Sequence, residues 1–221
     1  MIKAISKHRA ILTRLLPNQH HHVRSLSSGL IIFLLALHDL ESMRSGAGYP
    51  ASLISYFTNS GLDKAPALDA CMEAMAEKIM KDAVSELNLQ AREQSLPAHL
   101  SVDLQALLVG STHRVARARA VAASYLNRLI TSFPSLMCDP PLVFAMLETL
   151  TLLRRACEGE FIDEYNPEWE YRSERADVVL QLTDDYKVRE EILGSLKRSA
   201  TMWLELALAR APVELQTTLQ V

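Results

Sequence analysis

The sequence predicts an all-α protein, a stack of antiparallel helices, and three observations carry that reading. Leu and Ala, both strong helix formers, fill 62 of the 221 positions. Gly occurs only 7 times, near half its usual share of about 7%, which is too few turn formers for a sandwich or barrel that needs a turn every 8–12 residues or so. Proline and glycine stops separate segments whose apolar residues recur at spacings of three and four. With 49% apolar residues and a net charge of -3, the chain can build a core, so disorder is excluded. The length suits one large domain or a slice of a longer solenoid.

Each element follows in order. Residues 2–16 fit a first helix, with Ile5, Leu12 and Leu16 on one stripe and Pro17 as its stop. Ser27 or Ser28 caps a second helix to about Arg44, ended by Gly46 and Gly48. Its apolar run, residues 30–37, is about half the roughly 20 residues a membrane span needs, so it reads as a buried helix. Pro50 opens a shorter helix through Phe57, and Asn59-Ser60-Gly61 reads as a turn. Pro66 starts a helix to about Leu87 with a soft face of Cys71, Met72, Met75 and Met80, read as core packing. Pro97 begins another, with Leu100, Leu104, Leu107 and Leu108 apolar. Residues 114–132 make a further helix, stopped before Pro134. Asp139-Pro140 is a cap with proline in the first turn of a helix to about Cys157. Around residues 168–183 the period changes to two: Trp169 and Tyr171 alternate with charges, then Val178, Leu180 and Leu182, which predicts a short hairpin or extended insert. Thr183 or Asp184 caps a helix ending near Arg210, on which Leu196, Ala200, Met202, Trp203, Leu206 and Ala207 share a core face. Pro212 starts a last short helix.

Charge is segregated. Residues 1–38 contain no acid but carry Lys3, Lys7, Arg9, Arg14 and Arg24. Residues 110–138 again lack acids and hold Arg114, Arg117, Arg119 and Arg128. From 158 to 191 twelve acids face four bases, and the stretch 158–183 reads as an acidic insert. Separated signs of this kind pair internally or meet partners. Arg114, Arg117 and Arg119, beside His113, form the candidate basic patch, facing an acidic protein or an anionic lipid. Without aromatic stacking partners, and with a mildly acidic whole, the patch does not read as a nucleic-acid site.

The remaining candidate residues have plainer roles. His20, His21 and His22 point in different directions, so they read as a polar loop and not a metal site. His38, beside Asp39 at the end of the apolar run, reads as a capped or core histidine. Asp163-Glu164 and Asp184-Asp185 sit at turn or cap positions, where acids are favoured anyway. Phosphate-loop, dinucleotide and C-x-x-C patterns do not occur, so no catalytic, cofactor or metal residue is assigned. Cys71, Cys138 and Cys157 are sparse and odd in number, as in an intracellular protein with reduced thiols.

Residues 131–136 (TSFPSL) with Cys138, then 147–158 (LETLTLLRRACE), resemble the fungal form of the type III alpha phosphatidylinositol 4-kinases. Residues 163–167 (DEYNP), 199–207 (SATMWLELA) and 211–216 (APVELQ) are similar too, and the resemblance runs from about Pro17 onward. It implies a single segment, 1–221, of the armadillo- or HEAT-like α-solenoid scaffold that precedes the lipid kinase domain. In that family the whole enzyme uses ATP and Mg to phosphorylate phosphatidylinositol to phosphatidylinositol 4-phosphate. It is cytoplasmic and peripheral at the plasma membrane, and a dimer held with adaptor proteins. The resemblance therefore implies the rest of the parent kinase, a second copy and adaptors as partners, and no catalytic residue in this chain. The alternative is a free-standing helical-repeat adaptor that binds protein partners.

Overall fold

The proline stops fall where the helices break. A computed structural model describes residues 2–93, 97, 99–159 and 170–220. Among them are nine α-helices and one two-stranded antiparallel hairpin, so the all-α expectation with its small insert holds. The chain, read from sequence as one segment over 1–221, divides into two compact units, Met1–Ala98 and His99–Val221.

The first unit holds α1 (Ile2–Leu15), α2 (His20–Ser25), α3 (Ser28–Gly46) and α4 (Pro66–Glu93). 3-10 helices at Pro17–Gln19, Pro50–Thr58 and Ser60–Lys64 fill the connections. Ser27 caps α3 by accepting the Leu30 N–H at 3.4 Å, and Gly48 ends it at a φ of 90°, a conformation that favours glycine. Ile31, Leu34 and Leu37 turn inward from α3, and Cys71, Met72, Met75 and Met80 bury the soft face of α4. The α3 helix is not buried all round, as its apolar run suggested. Ile32 is 53% and Met43 68% exposed, with Phe33 and Leu40 beside them, because α1 and α4 cover only one side of a helix that is apolar on both.

A buried carboxylate ties α3 to the segment after it. Glu41 is wholly inaccessible to solvent. It accepts from Arg44 at 2.7 Å, from the Tyr56 hydroxyl at 3.0 Å and from the Ser52 hydroxyl. A buried charge is tolerated when it is paired and bonded in this way. Burial, and then the bond to Glu41, push the Tyr56 phenol up from its ordinary pKa.

The second unit holds α5 (Leu100–Gly110), α6 (Ala116–Ser132), α7 (Pro140–Glu158), α8 (Tyr186–Arg210) and α9 (Pro212–Leu219). Strands β1 (Glu170–Ser173) and β2 (Val178–Gln181) form the hairpin, pairing Tyr171 with Leu180 and Ser173 with Val178. The period-two pattern thus marks real strands: Tyr171, Ser173, Val178 and Leu180 point inward. Trp169 and the pair Asp163-Glu164 lie outside the described residues. A lone hairpin is marginal until something covers it. Here it packs on α7, where the Ser173 hydroxyl donates to Glu148 at 2.6 Å. Asp139 caps α7 as expected, accepting the Leu142 N–H at 3.3 Å and the Ser101 hydroxyl from α5. The α8 cap is Asp185, not Thr183 or Asp184: its carboxylate accepts the Lys187 and Val188 N–H groups at 3.0 and 3.3 Å.

Candidate interaction surface

Arg114, Arg117 and Arg119 gather where α5 turns into α6. Thr112 is buried in that turn, and the Arg114 N–H donates to the Gln181 carbonyl at 2.8 Å, fastening the hairpin's β2 to it. The three side chains have different surroundings. Arg114 is exposed and Arg117 half-buried. Arg119 folds back so that its guanidinium donates to the His113 carbonyl at 2.8 Å. Its burial lowers its pKa, while Glu191 on α8 works the other way. The first turn of α6 contains no acid and Val115 offers no side-chain cap. Positive side chains therefore sit at the positive end of a helix, an arrangement that favours a negative group.

Beneath the patch a cleft of about 340 Å³ runs between α6 and α8. Ala116, Ala120 and Ala123 face Ser195 and Ser199 across it, and small side chains leave the space. Arg119 and Glu191 mark the charged part of the lining, and Trp203 closes it deeper in. Trp203 is 2% exposed and its indole N–H donates to Asn127 Oδ1 at 3.0 Å. Its face holds Ile192, Leu196, Ala200 and Ala207. Met202, expected on that face, is exposed, because one residue along the helix turns it about 100° away.

His113 supplies a pH dependence. Its Nδ1 accepts the Val115 N–H at 3.0 Å, a bond the protonated ring cannot make. Burial first, then Arg114 and Arg119, hold its pKa below the ordinary 6.5. The unfolded chain thus binds this proton more readily than the folded one. The contribution to stability is full above about pH 6.5 and is lost as pH falls through the lowered value. Thermal unfolding between about pH 7 and 5 is expected to show an acid loss that His113→Asn reduces, since Asn can accept the same N–H. Equal pH slopes for parent and variant would contradict this.

Arg189 is the residue the sequence hides best, looking there like one base among twelve acids. It is fully buried. Its Nε donates to the Thr183 carbonyl at 2.5 Å. Its Nη1 donates to the Ala156 carbonyl at 3.1 Å and the Tyr171 hydroxyl at 3.3 Å. The guanidinium carbon lies 4.6 Å from the Tyr186 ring centre and 5.6 Å from that of Tyr171. One side chain thus joins the end of α7, the hairpin, the loop before α8 and α8 itself. The only advance signal was the company of Tyr171 and Tyr186.

The remaining candidates take structural positions. His20, His21 and His22 form a short helix where a loop was expected, because buried Val23 anchors that turn among the helices. His38 is largely buried, its Nδ1 3.1 Å from Asp39 Oδ1. No disulfide joins Cys71, Cys138 or Cys157. Among the described residues no three His, Cys, Asp or Glu side chains meet as a metal site requires, and no helix is long and apolar enough to cross a membrane.

The described residues thus define an all-helical protein of two units with a small hairpin, its best-buried charges joining elements of the fold. No protein-family profile matches the chain, and no solved structure matches it. Two curated relatives do. Over 198 residues, 90% of this chain, it is 27% identical to phosphatidylinositol 4-kinase stt4 of Schizosaccharomyces pombe. Over 197 residues, 89% of the chain, it is 21% identical to phosphatidylinositol 4-kinase STT4 of Saccharomyces cerevisiae. Both alignments cover 10% of the relative, so the chain spans about a tenth of the length of the curated relatives it matches. The resemblance to fungal phosphatidylinositol 4-kinases is borne out.

Proposed function

We propose that this chain is a non-catalytic helical scaffold segment of a phosphatidylinositol 4-kinase. The single observation that carries the reading is that nine tenths of the chain aligns with only one tenth of two such kinases. The parent reaction is transfer of the ATP γ-phosphate to the 4-hydroxyl of phosphatidylinositol, performed elsewhere in the enzyme with ATP and Mg. This segment assembles and positions, at the plasma membrane through the parent complex. Within each unit the strongest contacts between α-helices are with partners next or next but one in order, which supports a solenoid arrangement. Exposed apolar residues on α3 (Ile32, Phe33, Leu40, Met43) and on α7 (Phe144, Leu147) support contact with further parts of a helical assembly, a second copy or adaptors. Arg114 and its neighbours offer an acidic partner or an anionic membrane a contact beside the cleft.

An exchange experiment tests the reading. The matching tenth of the fission yeast kinase is replaced by this chain, and phosphatidylinositol 4-phosphate is measured in cells that depend on the chimera. The expected result is retained synthesis.

A further inference from the structure

The first unit contains a basic cleft that the scaffold reading leaves unexplained. It opens between α1 and α2, about 800 Å³, and is lined by Arg9, His20 and Arg24 with the hydroxyls of Ser6, Thr13 and Ser28. Arg9 is held in place: its Nη2 donates to the Leu26 carbonyl at 3.2 Å. Its Nε is buried and has no hydrogen-bond partner. His20 and Arg24 are four residues apart on α2, and so share a face. The His21 ring lies 3.7 Å from that of His20, centre to centre. Three cationic or protonatable side chains thus converge where residues 1–38 provide no acid. Acids on α4, which packs on α2, line a different hollow with Arg14, and Asp82 there pairs with Lys78. His21, then desolvation, then Arg24 keep the pKa of His20 below its ordinary value, as expected of positive groups crowded together without an anion.

We infer that this cleft is a binding site for a phosphate group, gripped by Arg9, His20 and Arg24. A doubly charged phosphate matches several converging donors, and the guanidinium fork suits its oxygens. The Arg9 guanidinium is already oriented by the bond from its Nη2 to the Leu26 carbonyl. Ser6 and Ser28 have hydroxyls to add, and the width leaves room for an organic group on the phosphate. That group is either a soluble phosphate ester or the headgroup of a lipid in a bilayer.

The test uses the full 221-residue chain. Inorganic pyrophosphate is titrated while the histidine Cε1–H resonances are followed. Separately, flotation is measured with phosphatidylcholine vesicles with and without phosphatidic acid. Saturable movement of the His20 and His21 resonances is expected, with affinity falling roughly tenfold or more in Arg24→Gln, read at His20, and in His20→Gln, read at His21, the unfolding midpoint unchanged. Arg24 is exposed, so its variant keeps the fold. Flotation with phosphatidic acid, competed by pyrophosphate and lost in Arg24→Gln, assigns the site to a lipid headgroup. Pyrophosphate binding without flotation assigns it to a soluble ester. Absence of binding to both probes overturns the inference, as does binding that survives both substitutions.

Discussion

Replacing Arg189 by Leu is expected to destabilise the second unit by about 3–5 kcal/mol, the range seen when a buried charged hub loses its bonds. Stabilities of whole domains are about 5–15 kcal/mol, so much of the margin goes with one side chain. Leu fills part of the volume but cannot bond the Thr183 and Ala156 carbonyls or the Tyr171 hydroxyl. Each buried group left unmatched costs about 1–3 kcal/mol. The contacts with the Tyr171 and Tyr186 rings vanish as well. Arg189→Lys keeps the charge and loses the planar fork, so it should fall between parent and Leu. Thermal unfolding ranks the three, and hydrogen exchange at the paired strands reports the hairpin, which should loosen first. A midpoint for Arg189→Leu within error of the parent would show that Arg189 does not hold these elements together.

Trp203→Ala is expected to have a comparable effect, about 3–5 kcal/mol, from loss of a buried ring and the cavity it leaves. Two parts of that loss are separable. Trp203→Phe keeps an aromatic ring in place but removes the bond to Asn127, a difference of about 1 kcal/mol beyond the volume change. A double-mutant cycle with Asn127→Ala isolates the bond between α8 and α6. If Trp203 instead served only as an exposed contact for a partner, Trp203→Ala would leave the unfolding midpoint nearly unchanged and weaken binding alone.

Local signals made most element boundaries legible. Pro17, Pro50, Pro66, Pro134, Pro140 and Pro212 each fall at or just before a helical start, because a proline fits a first turn and breaks an interior one. Asp139 before two prolines marked its cap, and the alternation around Tyr171 and Leu180 marked the hairpin. What stayed hidden depends on residues distant in sequence. Three capping candidates stand in a row at 183–185, and only the backbone path selects Asp185. The apolar run of α3 showed that a helix forms, not that one flank stays uncovered. Glu41 and Arg189 look like surface charges until Tyr56, 15 residues away, and Ala156, 33 away, come into contact. Of the basic patch, composition located the arginines but could not show that Arg119 turns back onto the His113 carbonyl.

The exchange into the fission yeast kinase tests most directly whether the chain serves as part of a phosphatidylinositol 4-kinase. The chimera is compared with one carrying Arg189→Leu, both at measured protein levels. Scaffold function predicts phosphatidylinositol 4-phosphate at near-parental level in the first and a marked loss in the second. A stable, correctly expressed chimera that makes no phosphatidylinositol 4-phosphate would contradict it.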